Sequence, residues 1–147
     1  DLFWGPWANE RVKALLMDLA RSYKVVILFG EVYGRGVQSM DYGTVRGFRA
    51  FDIYVDGRYL NFDGFVHACD QHGVERVPVL FRGPFDLATM KVLSNGPSTI
   101  GGNNIREGVV VRTAVERRDP AIGRMVLKFI GDEFDLSKHK EKESVDA

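Results

Sequence analysis

Apolar residues at Val12, Leu15, Leu16 and Leu19 recur at helical spacing, with Arg11, Lys13, Asp18 and Arg21 on the other side. This pattern predicts an amphipathic surface helix from a cap at Asn9 to about Ser22, with Glu10 in the dipole-favoured first turn. The next apolar run, Val25-Val-Ile-Leu-Phe29, is β-branched and aromatic and meets glycine at once, so residues 24–31 read as a buried strand. Glycines at 34, 36, 43 and 47 mark a long loop carrying Arg35, Gln38, Tyr42 and Arg46. Phe48–Val55 then alternates, which puts Phe48, Ala50, Asp52 and Tyr54 on one face and Arg49, Phe51, Ile53 and Val55 on the other. Asp56-Gly57 is a hairpin-turn signal, and the chain returns over residues 58–62.

Asp63 can cap a short helix from Phe65 to about Gln71, with His67 and His72 as surface or packing residues. Val77–Phe81 reads as a short strand whose proline suits an edge or a strand start. A further helix begins at Pro84 or Phe85, with Leu87, Met90 and Leu93 on its inner side, and a turn-rich loop spans 95–104. The three valines of Arg106-Glu-Gly-Val-Val-Val-Arg112 predict a strand buried on both faces. Residues 124–130 return as its hairpin partner, with Lys128 opposite Val111 or Arg112 depending on the turn's centre. An amphipathic start at Glu133 runs into a charged, solvated tail over 136–147.

At 147 residues the chain is long enough for one domain with a real core. Twenty basic residues balance twenty acidic ones, which excludes a globally polycationic protein but not a local basic groove. The single cysteine, Cys69, cannot form an internal disulfide and fits a reducing, cytoplasmic setting. No Cys/His spacing suggests zinc, no signal peptide is visible, and no apolar run approaches the roughly 20 residues of a membrane span. The aromatic opening, with Phe3, Trp4 and Trp7, reads as a cut edge packing on a neighbouring element.

Three positions change the picture. Glu31 sits between two glycines at the end of an apolar strand, where a carboxylate is costly unless water, a cation or a donor meets it. It is either a solvated strand end or the wall of a polar site. Asp52 lies mid-strand among aromatics, and its plain reading is an acid paired with a nearby arginine on a wet face. Lys128 is an amine among apolar residues and needs an anionic partner.

Four pieces stand in a particular order: Phe29-Gly-Glu-Val-Tyr-Gly34, Phe48-Arg-Ala-Phe-Asp-Ile53, Glu107-Gly-Val-Val-Val-Arg112 and Val126-Leu-Lys-Phe129. Together they resemble the later motifs of the covalent nucleotidyltransferases, which include ATP-dependent DNA ligases, RNA ligases and capping enzymes. The phrase running from Arg106 to Phe129 is most similar to the RNA ligase family. The resemblance implies an α+β fold, an antiparallel two-sheet, ATP-grasp-like nucleotidyltransferase domain with helices outside, over residues 1–135 and truncated at its N-terminal side. It implies ATP and Mg²⁺ as cofactors and RNA ends as partners.

It also implies roles. Glu31 would hold the nucleotide's ribose or a metal-bound water, and Phe51, or less readily Phe48, would stack on adenine. Asp52 would be an acid needed for ligation, Glu107 would help bind the metal, Lys128 would contact the α-phosphate, and Arg112 would add a basic group to the nucleotide site. Glu107 and Arg112 are five positions apart, so a regular strand would point them to opposite faces. Both serve one site only if Glu107 precedes the strand or Gly108 permits a bulge.

Two departures accompany the likeness. No lysine here is followed by the family's any-acid/His/Asn-Gly nucleophile pattern, so that motif is expected upstream of Asp1. Ile130 stands where many relatives have another lysine. The implied chemistry is attack of a lysine amine on ATP, transfer of AMP to an RNA 5′-phosphate, and displacement of AMP by a 3′-hydroxyl. Arg35, Tyr42 and Arg46 could meet the RNA strand. This chain alone is expected to be inactive. A non-catalytic nucleotide- or RNA-binding remnant, a DNA ligase and a capping-type enzyme remain as alternatives.

Overall fold

The computed structural model describes residues 4–34, 37 and 46–137. The chain divides into two compact units, Asp1–Val77 with Thr113–Met125 and Pro78–Arg112 with Val126–Ala147. Both are mixed α and β with small antiparallel sheets, as an α+β reading requires.

In the first unit a 3₁₀ turn, Gly5–Ala8, leads into α1, Glu10–Leu19. Asn9 caps α1 by accepting a hydrogen bond from the Arg11 N–H at 3.0 Å. Val12 and Leu15 are buried, and Leu16 and Leu19 pack against the same core. Trp4 and Trp7 do not pack inward; they stay exposed on the 3₁₀ turn.

β1 (Val26–Tyr33), β2 (Gly47–Val55) and β3 (Arg58–Tyr59) form one antiparallel sheet in that order. Among the described residues β1 is therefore an edge strand, not the buried strand that its apolar run predicts. Val26 and Leu28 face the core, while Ile27 is exposed on the other face. The β2–β3 turn is the Asp56-Gly57 pair, with φ of 42° and 95°. Two consecutive positive φ angles are what a two-residue hairpin with right-handed twist requires. The Asp56 carboxylate also accepts from the Lys24 and Val25 amides at 3.3 and 2.7 Å, tying the turn to the start of β1.

The pairing of β1 with β2 contains an irregularity that resets the faces of β2. Phe29 opposes Asp52, but Gly30 opposes Ala50, leaving Phe51 as an extra residue in a bulge. Ala50 consequently joins Ile53 and Val55 in the core. The expected grouping of Phe51 with Ile53 and Val55 is thereby corrected. Gly30 is required opposite the bulge, because a Cβ there would run into the Phe48 ring and lie 2.8 Å from the Arg49 carbonyl oxygen.

α2 spans Phe62–His72 and starts three residues earlier than expected. Asn61 holds the cap position without capping, since its Oδ1 accepts instead from the Glu116 N–H at 2.8 Å. Gly73 ends α2 in the left-handed conformation. His67 is exposed, and His72 sits 3.1 Å from the Asp18 carboxylate. Phe65, Ala68 and Cys69 are buried against α1 and β2. Each large side chain buried there contributes about 1.5–3 kcal/mol. Burial pushes the Cys69 thiol up to about 11.

The strand expected over Val77–Phe81 is absent. Ala50 donates its N–H to the Glu75 carbonyl and accepts from the Val77 N–H, both at 2.9 Å, making a single parallel bridge. Pro78 follows with no N–H to donate, and no further ladder pairs form.

In the second unit α3 spans Leu87–Ser94. Asp86 caps it, accepting from the Thr89 N–H at 2.7 Å and hydroxyl at 2.6 Å. Leu87 is exposed, and Met90 is the buried residue of its inner side. β4 (Gly108–Arg112) pairs with β7 (Val126–Ile130) as a two-stranded ribbon. α3 packs against the ribbon, and Phe85 meets the Phe129 ring at 6.3 Å. The ribbon's other face is open, and Val110 is 65% exposed, so the three valines are not buried on both sides. Residues 132–137 are helical and bury Phe134; the rest of the predicted tail lies outside the described residues.

Two outcomes follow from this packing. Gly30→Ala should cost about 1–3 kcal/mol through overpacking, read as a lower urea midpoint with an unchanged slope. Hydrogen bonds from the Thr89 hydroxyl, then its amide, hold the Asp86 carboxyl below the ordinary range. The cap is therefore fully present above the unfolded value of about 3.9 and is lost as pH falls through the lower folded one. The Thr89 amide resonance should report that acid transition, and Asp86→Asn should abolish it.

Candidate functional site

The bulge places two consecutive side chains on the open face of the first unit's sheet. Phe51, 42% exposed, stacks on Phe29 with ring centroids 6.4 Å apart and planes 29° from parallel. Phe29 in turn meets Tyr59 at 5.9 Å, and Tyr59 meets Tyr54 edge-on at 5.2 Å. Glu31 is exposed on β1, two residues beyond Phe29 and so on the same face of that strand. Its cross-strand neighbour is Arg49.

Asp52 is only 4% exposed. Its partner is Arg124, whose Nη2 lies 2.6 Å from Oδ2. The same guanidinium makes a two-pronged contact with Glu116, at 2.9 and 2.7 Å. Its Cζ also lies 3.5 Å from the centre of the Tyr59 ring. One planar cation thus serves two carboxylates with its edge and an aromatic ring with its face, which a lysine could not do. Burial works against the Arg124 charge, but the hydrogen bonds that it donates to Glu116 and Asp52 outweigh it and hold its pKa above the ordinary arginine value. The plain expectation for Asp52 holds for its arginine partner and fails for its surroundings, because the carboxylate is buried and not on a wet face.

Arg124 is the residue that sequence reasoning missed. It belongs to a small ribbon, β5 (Arg118–Asp119) with β6 (Gly123–Arg124). The Asp119 carboxylate accepts from the Ala121 and Ile122 amides at 2.8 and 3.3 Å, and Gly123 has a φ of 78°. The segment is seated by the Phe62 N–H donating to the Ala114 carbonyl at 2.9 Å and by the Asn61–Glu116 bond. The available signal was the Asp-Pro turn closed by glycine immediately before an arginine.

In the second unit Glu107 and Lys128 form an ion pair, and each side chain is about half exposed. Lys128 stands opposite Val110, one position from the Val111 register and two from the Arg112 register considered above. Glu107 precedes β4, which begins at Gly108 with a φ of 157°. A Cβ at Gly108 would strike the Phe129 carbonyl oxygen, so glycine lets the two backbones approach. The Glu107 carbonyl accepts from the Gly131 N–H at 2.8 Å. By strand alternation Arg112, Val110, Lys128 and Ile130 share the ribbon's open face. Of the two alternatives set for Glu107 and Arg112, the first is the one observed: Glu107 precedes the strand, while β4 pairs with β7 in regular register and has no bulge at Gly108.

Glu31, Phe51 and Asp52 thus belong to the first unit, and Glu107, Arg112 and Lys128 to the second. Arg46 is exposed, whereas Arg35 and Tyr42 lie outside the described residues. Among the described residues no three His, Cys, Asp or Glu side chains cluster as a metal cage, and no helix is long and apolar enough to cross a membrane.

The family model for RNA ligase matches residues 1–130. This chain belongs to the RNA ligase family. No curated protein matches it closely enough to count as a relative. As a member of the RNA ligase family, it carries the Glu107–Lys128 pair and the Phe51–Asp52 bulge inside the matched region.

Removing one partner of a buried ion pair strands the other. Arg124→Met should therefore destabilise the protein by up to about 3–5 kcal/mol. Adding Asp52→Asn should recover part of that loss, and chemical denaturation of the four-member cycle checks the coupling.

Proposed function

We propose that this chain forms part of an ATP-dependent RNA ligase that joins RNA 5′-phosphate and 3′-hydroxyl ends through lysyl-AMP and RNA-adenylate intermediates. The observation that carries the reading is the Glu107–Lys128 pair, which joins two of the four ordered motifs within the span matched by the family model. The corresponding fold is the two-sheet adenylyltransferase domain, supported by the order of those motifs along the chain.

On this reading Phe51 offers its exposed face to adenine, at little entropic cost for a flat ring already held by Phe29. Glu31, on the same face of β1 as Phe29, addresses the ribose. Lys128 is the cation that meets the α-phosphate, where it offsets charge developing during transfer. Glu107 holds the Lys128 ammonium in place before nucleotide arrives. Arg112 adds a second positive group on the ribbon face. Asp52 acts at the ligation step.

Mg²⁺ suits carboxylate oxygens such as those of Glu107 and Glu31, which are hard donors that a cation keeping most of its waters can meet. When bound, Mg²⁺ would neutralise phosphate charge and favour the unprotonated lysine nucleophile.

No lysine of this chain carries the nucleophile pattern, so by itself it is a non-covalent nucleotide binder. That feature favours, for the isolated chain, the second reading of a nucleotide- or RNA-binding piece without chemistry. Incubation with α-labelled ATP and Mg²⁺ should leave no covalent label on a denaturing gel, and a labelled band would overturn this. In calorimetry ATP should bind and GTP should compete poorly. Phe51→Ala should weaken ATP about tenfold or more. Equal binding of both nucleotides would instead favour a capping-type enzyme, and preference for nicked DNA over nicked RNA a DNA ligase.

A further inference from the structure

We propose that Arg124 is a positioning residue of the nucleotide site, bracing Phe51 and Asp52 together without touching substrate. The inference rests on the adenylyltransferase reading above and adds to it a residue outside the four motifs. Three observations within the first unit carry it. Arg124 is hydrogen-bonded to both Asp52 and Glu116, so its guanidinium plane is fixed at its edge. That plane lies on Tyr59, 3.5 Å from the ring centre. Tyr59 leans on Phe29, and Phe29 stacks on Phe51.

The rings therefore form a row with the cation at one end and the exposed Phe51 at the other. Phe51 is a bulge residue, outside the regular pairing of β1 with β2, so the ladder does little to fix its ring. The row supplies that constraint. A stacking ring that is already held spares the nucleotide the cost of ordering it. Asp52 is fixed by the same guanidinium, so one residue sets both the base-stacking group and the acid beside it. Arginine is specific here because only a planar cation can pair at its edge and stack on its face.

The test has a structural and a binding arm, both on the chain as it stands. In aromatic carbon–proton spectra, Arg124→Met should shift the Tyr59, Phe29 and Phe51 resonances, whereas Arg21→Met on α1 should not. The side-chain protons of wild-type Arg124 should be moved upfield by the Tyr59 ring, and Tyr59→Leu should remove that displacement. Arg124→Met should weaken ATP about tenfold. Adding Arg124→Met to Phe51→Ala should cost little more, because both act through one ring. Arg124→Lys keeps the charge but not the plane, and should retain the Asp52 pair while losing most of the ATP affinity. If Arg124→Met does not fold, Arg124→Lys and Tyr59→Leu carry the same comparison.

Unmoved Phe51 resonances in a folded variant would overturn the proposal. So would unchanged ATP affinity in Arg124→Lys, or additive losses in the double variant, with the adenylyltransferase reading left intact. Failure of the wild-type chain to bind ATP would remove that reading together with the positioning role.

Discussion

One extra residue in β2 governs the first unit. The bulge at Phe51 breaks strict alternation, and two outcomes depend on that break. Ala50 rotates into the core beside Ile53 and Val55, which closes the hydrophobic layer under α1 and α2. Phe51 and Asp52, adjacent in sequence, both work on the open face, where an unbroken strand would separate them. Gly30 is the permissive element opposite, since any side chain there would collide with Phe48. The bulge is thus paired with its glycine, and neither can change alone.

The two ion pairs that matter differ in kind. Asp52–Arg124 is buried, so its value lies in what its loss would expose: an uncompensated charge in an apolar setting. Glu107–Lys128 is half exposed and contributes little to stability. An exposed pair can be opened by an incoming phosphate at small cost. A buried, three-way pair cannot, and it suits a fixed scaffold. The two pairs therefore differ in how readily their partners separate.

Much of the architecture was legible because it rests on strong local patterns. The stripe of α1, the Asn9 cap, the Asp56-Gly57 hairpin and the β4–β7 pairing follow from spacing and turn chemistry alone. The failures share a cause: each needed a partner that local sequence does not reveal. The run from Val25 to Phe29 looks buried but lies at a sheet edge, and Val110 looks buried but faces outward. Val77–Phe81 has strand composition but only one bridge before Pro78 removes the next donor. Asp63 looks like a cap, but α2 begins at Phe62 and takes Asp63 into its first turn. The motif residues were singled out by likeness to a family. Arg124 was not, because two-residue strands carry no periodic signal and an arginine in a charged turn looks like surface.

The long separation in sequence between Asp52 and Arg124 bears on how the protein is made. A ribosome releases residues in order, so the sheet carrying Asp52 emerges well before the ribbon that delivers its cation. Until then the nascent chain holds a carboxylate beside apolar strands with that counter-charge still to come, and it must keep the spot wet. Closing of the Asp52–Arg124 pair therefore has to wait for synthesis of the ribbon that carries Arg124.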